Sequence, residues 1–308
     1  METAATFTRM RFSGHESFTC RLSWLRKGLD FVTEGGDFND PLAVVNLGVG
    51  KNMVASIRYW LRAFGLTDET DSLTDFGQYL AELDGGKDPY FEKEGTIWLL
   101  LYKLISTGYA SIYGYFANEF APGRFRFTEG DLFTALRRKI DFEGQFVVDA
   151  SIERDISVML RTLIRPSSQG AGKSKIDIEE VFSGVLIDLE LLRTTLVETR
   201  EKDKTEKHTL IPREVRPSLP WQVVLYVILD QLPMGATSVS FRDMLNSPNS
   251  PGLVFLLSRE GLFEKIEEIT KNLPEETVFS QTAGNEVLQL DAEVAGDPYT
   301  ILNGYYNN

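Results

Sequence analysis

The stretch Asp40-Pro-Leu-Ala-Val-Val-Asn-Leu-Gly-Val-Gly-Lys-Asn-Met-Val-Ala-Ser-Ile-Arg-Tyr-Trp-Leu-Arg-Ala-Phe-Gly65 decides how the N-terminal part of the chain is read. Asp40 suits a helix N-cap and Pro41 the first helical position. The apolar turn that follows stops at Gly48, and a second helix is expected from Lys51. In that helix Val54, Ile57, Leu61 and Phe64 recur at three- and four-residue steps, one apolar stripe facing inward. Gly65 falls where a left-handed C-cap belongs. The opposite face carries Lys51, Asn52, Ser56, Arg58, Tyr59 and Arg62, with no acid among them. A short helix, a glycine turn and a longer helix with a basic outer face read as helix-turn-helix. Residues 66–73 leave room for a small wing or a closing helix before Thr74-Asp75 opens the next one. The expectation is a winged-helix-like DNA-binding unit; the bland alternative is a helical hairpin with a solvated basic face.

Two glycine-lysine pairs imitate phosphate loops and fail. Such a loop needs a Gly five residues before its Gly-Lys pair and Ser or Thr after it. Val45 and Asn52 occupy those places around Gly50-Lys51, and Ser167 stands where the first Gly would precede Gly172-Lys173-Ser174. No nucleotide cofactor is expected.

A chain of 308 residues with 43% hydrophobic content can build two or three cored domains, and its net charge of −13 argues against a general nucleic-acid-coating surface. The charge is uneven, however. Residues 1–65 sum to +2 and residues 121–176 to +3, whereas residues 66–120 sum to −7 and residues 177–308 to −11. Phosphate contact is therefore expected only through local faces, and as salt-sensitive binding. Cys20 is the single cysteine, which excludes an intrachain disulfide and a cysteine-rich zinc site and suits a reducing cytoplasm. With only His15 and His208, any metal would lean on carboxylates, which points to magnesium or manganese. Neither a signal peptide nor a bilayer-spanning run is read, so cytoplasmic localisation and no membrane partner are expected.

Phe12-Ser-Gly-His-Glu-Ser-Phe-Thr-Cys-Arg-Leu-Ser-Trp-Leu-Arg-Lys-Gly28 is the second informative stretch. Phe18, Leu22, Leu25, Leu29 and Val32 predict a helix packed by one face, and Ser13 with Glu16 has capping-box spacing. Glu16 thus has a purely structural reading. The functional one is that His15, Glu16, Arg21 and Lys27 gather around a helix start, where anions bind and a histidine can exchange protons.

Further along, helices are expected over residues 94–107, from Thr128-Glu-Gly-Asp131 with the run Arg137-Arg-Lys139, and over residues 151–165 with Arg154, Arg161 and Arg165 outside. Asp88-Pro89 with Glu92 and Lys93 lacks the acid-any-lysine triplet of restriction nucleases. Residues 166–175 read as a flexible basic linker and residues 198–207 as a solvated turn or hairpin beside a surface His208. In the C-terminal half a short helix is expected near residues 178–182, a buried one over 221–231, and another over 252–271. Strands at 278–281 and 286–290 follow, a second winged-helix-like pattern. Its acidic helix, with Glu260, Glu264, Glu267 and Glu268, suits a protein partner better than DNA.

The stretches 12–28 and Leu47-Gly-Val-Gly-Lys-Asn-Met-Val-Ala-Ser-Ile-Arg-Tyr-Trp60 resemble the two signature stretches of a bacterial domain-of-unknown-function family, number 4007. Asp88-Pro-Tyr90, Gly95-Thr-Ile-Trp-Leu-Leu100, Lys175-Ile-Asp-Ile-Glu-Glu180 and Thr282-Ala-Gly284 fit the same family, so the resemblance spans nearly the whole chain. It implies the nicking subunit of Ssp-type single-strand DNA phosphorothioation systems of phage defence. Such a subunit works with a cysteine desulfurase, an ATPase and an ATP-pyrophosphatase-like sulfur transferase. It would bind double-stranded DNA and nick one strand, with a divalent metal, so that sulfur can replace a phosphate oxygen. On that resemblance His15 becomes the candidate acid or base and Glu16 a metal ligand or orienting carboxylate. Arg21 and Lys27 become phosphate clamps. Replacing His15 and Glu16 is then expected to abolish nicking and leave the fold intact. The competing readings are a non-enzymatic DNA-binding recruitment module and a helix-turn-helix transcriptional regulator.

The expected fold class is mainly α with small β (α+β). A helix-turn-helix or winged-helix-like DNA-binding domain is placed at 1–85, a helical middle segment at 86–165 and a C-terminal α+β, protein-interacting domain at 166–308.

Overall fold

A computed structural model of the chain describes residues 9–83, 85–166, 184–198, 205–282 and 284–307. The first elements are α1 (Leu22–Thr33), α2 (Ala43–Leu47), α3 (Lys51–Ala63), α4 (Asp75–Ala81), α5 (Glu94–Ser106) and α6 (Ser111–Tyr115), which a π turn over Phe116–Phe120 continues. Next come β1 (Arg126–Phe127), α7 (Glu129–Phe142), α8 (Asp149–Leu163), β2 (Arg193–Glu198) and β3 (Thr205–Leu210). The remainder is α9 (Trp221–Gln231), β4 (Ser238–Ser240), α10 (Phe241–Asn246), α11 (Pro251–Val254), α12 (Arg259–Asn272), β5 (Thr277–Thr282), β6 (Asn285–Leu290), α13 (Ala292–Gly296) and α14 (Pro298–Tyr306). Among the described residues helix dominates and the two sheets are small and antiparallel, in line with the expected mainly-α class with small β. The expected linker beyond Pro166, the helix at 178–182 and the hairpin tip at 199–204 lie outside the described residues.

The chain divides into two compact units. One takes in Met1–Ala63, Gly108–Phe116 and Gly123–Ile211; the other takes in Phe64–Thr107, Ala117–Pro122 and Pro212–Asn308.

In the first unit α2 begins at Ala43 rather than Pro41, because Asp40 accepts the Leu42 N–H (2.8 Å) and closes a separate turn. Gly48 ends α2 at φ +61°, a left-handed value that costs glycine nothing, and α3 follows after two residues. α1 crosses α3 closely at Gly28, where a Cβ would stand 2.6 Å from the Ile57 side chain. The expected capping box at Ser13 and Glu16 does not form. Ser13, Glu16 and Ser17 all have positive φ (67°, 49° and 69°), the segment is a turn, and α1 starts only at Leu22. A true capping box occurs at Thr128 and Asp131, opening α7. β3 lies between β1 and β2, antiparallel to both, with Phe127 opposite Thr209 and Thr195 opposite His208.

In the second unit residues 66–73 form no strand pair beyond the single bridge Thr67–Leu73. Asp68 accepts from the Thr70 and Ser72 amides there, and Thr74 caps α4. Asp88, weighed above as a nuclease fragment, is a buried cap of α5, accepting from the Glu92 and Lys93 amides and the Thr96 hydroxyl. α9 is buried from Val223 to Leu229, as its apolar run predicts. The single helix expected over 252–271 is two, because Leu256 turns left-handed (φ 49°) and Ser258 caps α12 on the Gly261 amide. The expected hairpin is present, and β4 adds a third strand to it that the sequence did not announce.

Candidate nucleic-acid interface

The segment Ser13–Arg21 is clamped between α3 and α8. Ser56 on α3 donates its hydroxyl to the His15 carbonyl (3.0 Å), and Trp60 donates its indole N–H to the Phe18 carbonyl (3.2 Å). From α8, Asp155 accepts the Ser13 amide (2.9 Å) and Arg161 donates to the Ser17 carbonyl (2.9 Å). His15 sits at the centre, 1% exposed. Its Nδ1 accepts the Ser17 N–H (3.1 Å) and its Nε2 stands 3.1 Å from Asp155 Oδ1, close as an ion pair though not aligned as a hydrogen bond. Tyr59 meets the ring edge-on at 5.7 Å. Three left-handed residues in one short turn store backbone strain, and these contacts hold it.

Beside this turn opens a cleft of about 630 Å³. Arg21 contributes from the turn, Ser157, Arg161 and Arg165 from α8 and its exit, Thr194 from β2 and Lys207 from β3. Among the described residues Glu129 is the one carboxylate lining it. Arg165 also meets Glu190 (3.1 Å) and Asp188 (3.6 Å), and Lys207 lies 3.8 Å from Glu129. Exposed pairs of this kind are worth only about 0–1 kcal/mol, so a phosphate can displace them. Arg161 places two contacts on backbone oxygens, at Ser17 and Ser157, whereas a guanidinium carries five donors. The cleft is thus a concave cationic surface on a rigid frame.

Of the residues singled out from sequence, Arg21 reaches the cleft. His15 does not line it; the ring is enclosed and holds the wall in place. Glu16 is exposed in the turn. Lys27 donates to the Leu47 carbonyl (2.9 Å), tying α1 to the last turn of α2. On α3 the expected polar face is narrower than its spacing suggested. Ser56 and Tyr59 are 0% and 6% exposed, because the Ser13–Arg21 segment covers a second side of the helix. Lys51 and Asn52 are exposed; Arg58 is half-buried, bonded to Asn39 (2.9 Å), and Arg62 is half-buried too. The cleft cations missed were Arg161, Arg165 and Lys207. The spacing of Arg154, Arg161 and Arg165 along α8 and its exit was the signal for the first two, and those three arginines are exposed as expected.

A divalent ion is not served by this donor set. Among the described residues no three His, Cys, Asp or Glu side chains come together, and Glu129 is surrounded by cations. No described helix is long and apolar enough to cross a membrane.

A family model described as a protein of unknown function (DUF4007) matches residues 12–306. Two solved structures are similar over 97% of this chain and 89% of theirs, each at 27% identity. They are a magnesium ion-bound SspB crystal structure, at a TM-score of 0.79, and an SspB crystal structure, at 0.78. No curated protein sequence matches significantly.

Proposed function

The chain belongs to the DUF4007 family, and from that premise we propose that it is the DNA-engaging component of an Ssp-type phosphorothioation system, one that nicks a single strand. The observation that carries the DNA reading is the convergence of Arg21, Arg161, Arg165 and Lys207, from three separate segments, on one cleft. Phosphate contacts supply most of the affinity in such interfaces and need cations on a concave or elongated surface. Lys51, Asn52, Arg58 and Arg62 on α3 are a second backbone contact in this reading.

Charge is divided to match. The first unit holds 23 basic and 22 acidic residues, net +1; the second holds 9 and 23, net −14. Phosphate is repelled from the second unit, which suits protein partners instead, the ATPase and sulfur transferase of the system in this proposal.

The nicking reading is tested by converting supercoiled plasmid to open circle with and without magnesium or manganese. Glu16→Ala is the informative variant, since Glu16 is exposed whereas His15 is part of the frame. Metal-dependent nicking lost in Glu16→Ala supports the assignment. DNA binding without nicking under any metal favours the recruitment module, the reading that the scattered carboxylates support.

A further inference from the structure

Resting on the cleft as a DNA-backbone site, we propose that it receives one nucleotide unstacked from a single strand, its base on the apolar part of the cleft and its phosphates on the cations. A site for duplex backbone alone needs only charge and hydrogen-bond donors. This cleft has more: Phe18, Leu160, Ile164 and Pro166 share the lining with the arginines. Leu160 is buried and Phe18, Ile164 and Pro166 are half-buried, whereas Arg161, Arg165 and Lys207 are exposed, so the apolar groups lie beneath a charged rim. A volume of about 630 Å³ falls in the range, about 300–1,000 Å³, of clefts that enclose most of a small ligand.

Phe18 is fixed before any ligand arrives. Its ring meets Trp24 edge-to-face at 5.9 Å, and its carbonyl is held by Trp60. A ring held in this way offers a stacking face without first being ordered. Every base has such a face, so the recognition is sequence-tolerant. Enzymes that do chemistry on a base draw that nucleotide out of the stack into a lined pocket of this kind.

Fluorescence anisotropy with the full chain tests this. The probes are a labelled single-stranded oligonucleotide, an abasic strand of equal length and charge, and the corresponding duplex. The intact chain is expected to hold the normal strand roughly tenfold tighter than the abasic one, the scale of one stacked base. Phe18→Ala, and Thr194→Trp at an exposed cleft position, should bring that ratio to about one while leaving abasic binding unchanged. Lys207→Gln should weaken both strands equally. Equal binding of normal and abasic strands overturns the proposal, as does a parallel loss of both in Phe18→Ala and Thr194→Trp. Displacement of the strand by free nucleoside monophosphate at equal nucleotide concentration overturns it in favour of a free-nucleotide site. If Lys207→Gln and Arg21→Gln change nothing for any probe, the backbone reading itself fails.

Discussion

His15 and Asp155 together hold the Ser13 and Ser17 backbone, and neither side chain is more than marginally exposed. Removing the ring leaves a cavity in the frame and the Ser17 amide without its acceptor, at a cost of about 2 kcal/mol or more. His15→Ala is therefore expected to lower the urea midpoint strongly, and loss of activity in that variant reports on the frame. Glu16→Ala, by contrast, should unfold within about 0.5 kcal/mol of the parent, as exposed substitutions do. Cys20 gives a second test at this scale. It is enclosed, and burial pushes its thiol pKa well above the usual value. The thiolate is the reactive form, so labelling by iodoacetamide at neutral pH should be negligible until the chain is unfolded. Rapid labelling of the native protein would show the Arg21 segment opening.

At the scale of elements, the crossing of α1 and α3 depends on Gly28, whose missing Cβ is what lets Ile57 and Leu61 approach. Gly28→Ala is expected to cost about 1–3 kcal/mol through overpacking, visible as a lowered Tm. The start of α7 rests on Thr128 and Asp131. Thr128→Ala should cost about 1 kcal/mol. The Thr128 backbone N–H, and then its hydroxyl, hold the Asp131 carboxyl below its ordinary pKa. The contribution of Asp131 is therefore complete above the ordinary carboxylate pKa and fades as pH falls through the lowered one. The stability difference between the parent and Asp131→Ala should accordingly shrink on acidification below about pH 4; a constant gap down to pH 2 would contradict this cap. α8 has two faces with different tasks: Asp155 grips the turn inside, and Arg161, with Arg165 just beyond the helix end, stands on the cleft outside.

For the whole molecule the two net-positive segments of the chain, residues 1–65 and 121–176, fall almost entirely in the first unit. On the proposed reading, binding to DNA should strengthen as salt falls and be lost on charge removal in that unit alone. The double variant Arg21→Gln/Lys207→Gln is expected to reduce the salt slope by about 2, one for each phosphate contact removed. Charge removal at Glu264 and Glu267 in the second unit should leave that slope unchanged. A slope insensitive to the first pair would move the interface to the α3 face.

Period and punctuation were enough to identify α3, α5, α8, α9 and the β5–β6 hairpin, because in each the apolar spacing and the flanking caps are local properties of the chain. The family was legible too, since the residues of its motifs stand in sequence order. The arginine row of α8 could be read as exposed for the same reason. What local spacing could not supply was the neighbour on the second side of a helix. Ser56 and Tyr59 look solvent-facing on α3 until the Ser13–Arg21 turn covers them, and nothing near His15 in the sequence announces that Asp155, 140 positions away along the chain, stands against its ring. The cleft is built from residues at positions 21, 161, 165 and 207. Its existence depends on long-range packing, which pattern and propensity do not encode; only the tertiary structure brings those charges together.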